Sequence, residues 1–409
     1  MLENSKKEKC LCLMTSFESI YQFLNQKKYL IEALSKAFEK FYLINSENLE
    51  FFLKKNDISL EEIKKQIPNN CIVFDPKTSN EFISFCNNKE LIIISNIGRL
   101  WTYFRIHYLI KKTNSKLIYI QNIGNFQTTA YPKLRSVLTQ VFLKHLPHKV
   151  VIFLSILKIF PIVELRFLSN KFNYNKATNN FFYKLSQKNK FLNLFYTKEF
   201  VPINSLAFDV NSSNQLIISE EKIVMVDTNI NHKDNLVYWG RISDEKVKKI
   251  YITLEFFLKK ISNIFNKPVV ICVHPSQNIE LIKNYLKDFE IVKYKTKENI
   301  YKSFITFFYD SSSIVDAFLL KKKIIVLENE MMGKSITTLC NQYPLKTGIM
   351  KVNLNQDFYI KDKALFLKKI EETAKSKKYN DFINNNLQSD GNYNGTQKII
   401  KIIKSKFFN

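Results

Sequence analysis

Short apolar runs of four or five residues recur along this chain, and each gives way to a longer amphipathic stretch. In the first half the runs are Cys10–Met14, Phe41–Ile44, Cys71–Phe74, Leu91–Ile94 and Lys116–Ile120. Among them lie the helix-like stretches Tyr21–Lys40, Leu60–Gln66 and Leu100–Lys112. Strands that alternate with helices build a parallel, doubly wound sheet. After the polar, Asn/Ser-rich segment Phe172–Glu221 the rhythm restarts. It runs Ile223–Val226, helix Glu245–Phe265, Val269–Val273, helix Gln277–Leu286, Glu290–Tyr294, helix Lys297–Lys302, Phe304–Phe308, helix Ile314–Leu320 and Lys323–Leu327. Helical patterns return at Ala364–Ser376 and Thr396–Phe407.

At 409 residues the chain is too long for one ordinary core. The expected fold is therefore α/β, with two Rossmann-like domains whose parallel sheets face each other across a cleft. Residues 1–200 are expected to form the first and 201–409 the second.

Charge narrows the partners. The chain carries 62 Lys+Arg against 37 Asp+Glu, a formal net charge of +25, which favours phosphorylated substrates, anionic lipid or nucleic acid. The lysines sit in small clusters such as Lys248-Lys249 and Lys321-Lys322-Lys323. No zinc-finger spacing, RNP-like string or repeat accompanies them, so nucleic acid is not the expected partner. The stretch Val150–Leu168 is the most apolar, but Lys158, Pro161, Glu164 and Arg166 interrupt it. It is too broken to span a bilayer. It reads either as a core strand with a short buried helix or, with the lysines of 144–171, as a contact to an anionic membrane surface.

The six cysteines form no C-x-x-C pair and mostly lie in apolar runs, so they are expected as core residues, without disulfides or zinc. Met1–Lys9 is charged and leads into no signal-peptide core. A cytoplasmic protein is expected, peripheral on the inner face of the cell membrane where the basic apolar stretch meets lipid.

Two strings carry most of the chemistry. His274-Pro275-Ser276 follows the run Val269–Val273, and Ser311-Ser312-Ser313 follows Phe304–Phe308. Each stands at the carboxyl end of a strand, where open α/β sheets hold their ligands. An imidazole donates to phosphate oxygens, and a row of hydroxyls at a helix start does the same without glycine. N-capping alone needs one serine, not three. Asp316, in the turn beyond, can meet a ligand hydroxyl, and Lys295-Thr296 ends the intervening strand at the same edge. Asp227, after Ile223–Val226, and His232 are candidates for the base that deprotonates an acceptor. Thr15 and Ser16, after the first strand, are candidate acceptor contacts.

Absent motifs exclude much. With 7 glycines the chain has no G-x-G-x-x-G and no G-x-x-x-x-G-K-[ST], which disfavours dinucleotide cofactors and P-loop chemistry. G-x-S-x-G, H-E-x-x-H and D-x-D are missing as well, so no metal-bridged diphosphate site is indicated.

Strand–His-Pro, then a strand–Ser-Ser-Ser–helix ending in Lys-Lys-Ile-Ile-Val-Leu, resembles the donor domain of GT-B glycosyltransferases. The likeness is to bacterial sialyltransferases and related capsule and lipopolysaccharide transferases with "HP" and "SS(S/T)" motifs, and it covers Val224 to Leu327. It implies a GT-B-like fold in which residues 201–409 bind the nucleotide-sugar donor and 1–200 the acceptor. By that likeness His274 and Ser311, Ser312 and Ser313 would grip the phosphate of a CMP-sugar, with no metal and no cofactor beyond the donor. The transfer would be inverting, onto a surface glycan or glycolipid. The family's acidic D/E-D/E-G motif is absent here. A CDP-linked polyol-phosphate transferase would need much the same grip. A non-catalytic polyanion-binding α/β protein is the alternative of another class.

Overall fold

The computed structural model describes residues 7–15, 24–49, 60–65, 67–87, 89–95, 104–121, 161–180, 183–184, 187, 197–213, 219–231, 241–274, 277–356, 360–388, 390–391 and 394–409. They belong to two compact units. The first draws on Met1–Ile123, Thr139–Val210 and Gln388–Asn409, the second on Asn211–Leu387.

The first unit is built on a seven-stranded parallel sheet: β1 (Glu8–Thr15), β2 (Phe41–Asn45), β3 (Ile72–Phe74), β4 (Lys89–Ser95), β5 (Lys116–Gln121), β6 (Val163–Leu168) and β7 (Thr197–Pro202). Their order is β3-β2-β1-β4-β5-β6-β7. Successive side chains of a strand point to opposite faces, so a strand apolar throughout must be covered on both. Leu11 and Leu13 of β1 accordingly enter one core, and Cys10, Cys12 and Met14 enter the other. Helices α1 (Leu24–Ala37) and α2 (Leu60–Lys64) pack on the first face, and α3 (Ser79–Cys86) and α4 (Phe104–Lys112) on the second. Two further helices, α5 (Lys171–Thr178) and α6 (Leu206–Ser213), follow β6 and β7.

The second unit carries a six-stranded parallel sheet of β8 (Lys222–Val226), β9 (Val269–Val273), β10 (Glu290–Lys293), β11 (Ser303–Phe308), β12 (Ile324–Glu328) and β13 (Met350–Asn353), in the order β10-β9-β8-β11-β12-β13. Its helices are α7 (Asp244–Phe265), α8 (Ile279–Tyr285), α9 (Thr296–Tyr301), α10 (Ile314–Leu319), α11 (Lys334–Thr347), α12 (Lys363–Lys375) and α13 (Lys377–Asn386). The longest, α7, shows why these elements form. Ser243 caps it by accepting from the Lys246 N–H, and Asp244 and Glu245 meet the positive end of its dipole. Ile250, Tyr251, Leu254, Phe257, Leu258, Ile261 and Phe265 make one buried stripe. Asn266, in the left-handed conformation at φ 50°, ends it.

Two features differ from the sequence expectation, and a third bears out the core strand it offered. β7 arises in the polar segment read as irregular, and it pairs with β6, so the first unit continues to Val210. Within Val150–Leu168, the part called a strand or a membrane contact contains β6, with Val163, Leu165 and Phe167 fully buried inside the sheet. Residues 144–160 lie outside the described set. No helix among the described residues is long and apolar enough to cross a membrane. Finally, residues 388–409 join the first unit rather than the second. There α14 (Gly395–Ile403) inserts Ile399 and Ile403 into the core beside Leu30, Leu34 and Phe38.

One carboxylate secures that return. Asp209 is fully buried; its Oδ1 accepts the Gly395 N–H at 2.8 Å and its Oδ2 accepts the Thr396 N–H and hydroxyl, each at 2.7 Å. A Cβ at Gly395 would stand 2.9 Å from the Asn204 carbonyl oxygen, so only glycine fits. Asp209→Ala strands three buried donors and is expected to lower stability by about 3 kcal/mol. Gly395→Ala is expected to cost about 1–3 kcal/mol through the forced backbone shift. Urea unfolding of the two variants checks both figures.

Candidate functional site

All strands of a parallel sheet end on one edge, and ligands collect there where the strand order reverses. In the second sheet the reversal lies between β8 and β11. Along this edge, in strand order, come Lys295 beyond β10, His274 after β9, Asp227 after β8 and Ser311 beyond β11. From β9 to β11 is two strand spacings, roughly 10 Å, a reach suited to one phosphorylated ligand.

His274 is half-buried. Its N–H donates to Gln277 Oε1 at 3.3 Å, and its carbonyl accepts the Gln277 N–H at 2.9 Å. Pro275 and Ser276 lie outside the described residues, as do His232 and Ser16. In the serine row Ser312 is exposed and its neighbours are half-buried. The backbone itself closes the first turn of α10: the N–H groups of Ile314, Val315 and Asp316 donate to the carbonyls of Ser311, Ser312 and Ser313 at 3.3, 3.4 and 3.3 Å. Ser313 occupies the cap position and makes no side-chain cap bond. Ser311 Oγ accepts the Ser313 N–H at 3.3 Å. The Ser313 hydroxyl is therefore not spent on capping α10, whereas that of Ser311 ties the turn before it.

Two expected ligand or catalytic residues turn inward. Asp227 is 3% exposed. Its Oδ2 accepts from Tyr251 Oη at 2.8 Å and Gln277 Nε2 at 3.0 Å, and its Oδ1 accepts the Thr228 N–H at 2.9 Å. Burial pushes its carboxyl up to about 6, and these three donors hold it down against that. A general base must reach the proton it removes. Asp227 instead serves donors inside the protein. Asp316 is likewise buried, accepting from Asn211 Nδ2 at 2.8 Å, while Tyr301 Oη donates to Asn211 Oδ1 at 2.6 Å. Burial raises the Asp316 carboxyl and lowers the nearby Lys297 ammonium, and each charge counters the shift of the other. Lys295 is exposed; Thr296 opens α9 and is half-buried.

The edge also holds residues the sequence reading passed over. Thr228 Oγ1 donates to the Asp310 carbonyl, joining the β8 and β11 loops at the point of reversal. Asp310, directly before the serine row, has its carboxyl raised by burial and accepts from Tyr343 Oη at 2.7 Å. Tyr294, between β10 and Lys295, takes φ 63°, a conformation costly for a bulky side chain and typical of functional edges. Asp310 could have been noticed as a carboxylate at a strand end. Tyr251 gave no such sign, because its place in the buried stripe of α7 says nothing of its hydroxyl.

In the first unit the corresponding edge carries Thr15 beside Asn45 in register. Thr15 is buried, and its carbonyl accepts the Ser46 N–H at 3.0 Å. Asn45 and Asn48 both donate to Asp75 Oδ1, at 2.9 and 3.1 Å. All six cysteines are free and buried, and burial pushes the Cys10 thiol up to about 11. Among the described residues no three His, Cys, Asp or Glu side chains gather to hold a metal ion.

Solved structures of the same design exist. The wall teichoic acid polymerase TagF superposes with a TM-score of 0.51 at 12% identity, over 97% of this chain and 88% of that one. UDP-GlcNAc 2-epimerase from Methanocaldococcus jannaschii gives 0.50 at 11% identity, over 97% and 99%. The fold is GT-B-like. At such identities the likeness concerns the fold, and it does not extend to the sialyltransferase motifs. No protein-family model matches the sequence, and no curated protein matches it.

The buried Asp227 gives a signed pH effect. Its carboxyl is raised from 3.8 to about 6, so between those values the folded protein keeps a proton that the unfolded chain has released. This contribution to stability is complete below about pH 4 and is lost as the pH rises through about 6; its size is ~3 kcal/mol. Urea unfolding from pH 4 to 7 is expected to show that fall in the wild type, and Asp227→Asn to lack it.

Proposed function

We propose that the chain is a glycosyltransferase that moves a sugar from a nucleotide donor, CMP-linked by preference, to a surface polysaccharide or lipopolysaccharide acceptor without a metal ion. The observation that carries this reading is the convergence of His274 and Ser311–Ser313 on one carboxyl edge, at the strand reversal of a sheet in a GT-B-like fold. An imidazole and hydroxyls on strand ends two spacings apart can neutralise the charge that grows on a departing nucleotide phosphate. The second unit then holds the donor, and the first, at whose own edge the half-buried Asp75 stands over the buried Thr15 and Asn45, holds the acceptor. The exposed Lys295 suits the second charge of a diphosphate.

Because Asp227 and Asp310 are both engaged internally, the base lies elsewhere on this reading, and His232 is the group to substitute first. The likeness to a wall teichoic acid polymerase favours a second reading, a CDP-linked polyol-phosphate transferase of cell-surface polymer synthesis. Both need the same grip on a cytidine nucleotide.

Thermal unfolding with CMP, CDP, UDP, GDP and ADP separates these readings from a polyanion-binding protein. At 100 times its Kd a ligand adds about 2.7 kcal/mol, a shift of a few degrees. A shift for cytidine nucleotides, lost in His274→Ala and untouched by EDTA, is expected. Equal, salt-sensitive shifts for every anion would instead mark simple polyanion binding. Mass analysis of products formed from CMP-sugar and CDP-polyol donors then distinguishes sugar from polyol-phosphate transfer.

A further inference from the structure

Gln277 is buried in the loop between β9 and α8, and it spends its whole amide on neighbouring groups. Nε2 donates to Asp227 Oδ2 at 3.0 Å and lies 2.8 Å from Tyr251 Oη. Oε1 accepts the His274 N–H at 3.3 Å. A carboxylate only accepts hydrogen bonds, so the amide can face Asp227 through its nitrogen alone. That leaves the amide oxygen to face the His274 N–H. The orientation of one buried amide is thus dictated by the carboxylate behind it.

The carboxylate is itself anchored from other elements. Tyr251 on α7 and the Thr228 N–H after β8 also donate to it, and Tyr251 stacks on Tyr285 of α8 at 5.5 Å with the rings 4° apart. The buried phenol of Tyr309 also feels the Asp227 charge, and burial pushes both phenols well above their ordinary range. A buried carboxylate is a costly way to fill space, since apolar packing of the same volume is often more stable. Its three donors tie the loops after β8 and β9 and the long helix into one rigid corner.

We propose that Asp227 is a positioning residue: its ionised carboxylate orients the Gln277 amide, and that amide holds the His274 turn where the imidazole meets the phosphate of the ligand. The ligand's identity rests on the proposed function; the hold on His274 does not.

Swapping the two groups tests this in the full chain. In Asp227→Asn two amides face each other, and every orientation sets a donor against a donor or leaves the His274 N–H facing an NH₂. In the double variant Asp227→Asn/Gln277→Glu all the bonds can form again, with the relocated carboxylate accepting both the His274 N–H and the new amide. The readouts are hydrogen exchange of the His274 amide, the urea midpoint and CMP affinity. Asp227→Asn is expected to speed His274 exchange and weaken CMP binding, each about tenfold, the size of one lost hydrogen bond. The double variant is expected to restore both. Gln277→Met, which leaves Asp227 its other two donors, should loosen His274 equally and keeps the test alive should Asp227→Asn not fold. Unchanged His274 exchange in Gln277→Met, or no rescue by the swap, overturns the proposal. Should CMP fail to bind even the wild type, the nucleotide reading falls, and the exchange data still decide whether Asp227 positions His274.

Discussion

The central strands of this protein, such as β1, β9 and β11, are buried on both faces, and that constraint shapes everything else. β1 sends Leu11 and Leu13 into one core and Cys10, Cys12 and Met14 into the other, so neither face has room for chemistry. Polar groups are driven to the strand ends. In a parallel sheet those ends share an edge, and Asp227, His274, Asp310 and the serine row are found along it in the second unit. The first unit repeats the arrangement with Thr15, Asn45 and Asp75. The location of the site follows from how the sheet is covered.

At that edge, burial divides the charged residues into those that hold and those that are held out. Asp227 and Asp316 face inward, and each accepts from amide or hydroxyl donors that offset its desolvation. At the opposite, amino edge Lys322 does the same for a cation: it is buried, and its ammonium donates to the carbonyls of Ser219, Tyr301 and Ser303. Buried charges of this kind fix loops in place. His274, Lys295 and Ser312 keep more exposure. The inward set makes the outward set rigid, and rigidity is what an electrostatic site needs.

Much of this was legible in the residues. Val269–Val273 is a strand with the expected bounds, and α7 differs from expectation by one residue. Strong periodicity in a long segment has few alternative readings. β7 was not legible, because Thr197–Pro202 is polar at its start and becomes a strand only by pairing with β6. The return of α14 to the first unit was hidden for a similar reason. Its contact with Asp209 joins residues 186 and 187 apart in sequence, and no local pattern records that. The strand ends expected before His274 and the serines are there. They did not reveal which way a side chain turns, so Asp227 read as a base although it is an internal acceptor.

The central claim is that a nucleotide phosphate binds the carboxyl edge of the second sheet at the β8/β11 reversal. Titrating isotopically labelled protein with CMP and following backbone amide shifts tests it most directly. Perturbations centred on Thr228, His274, Lys295 and Asp310–Ser313, with the first unit quiet, are the expected result. Perturbations confined to the first unit, or scattered over surface lysines and abolished by moderate salt, would contradict it.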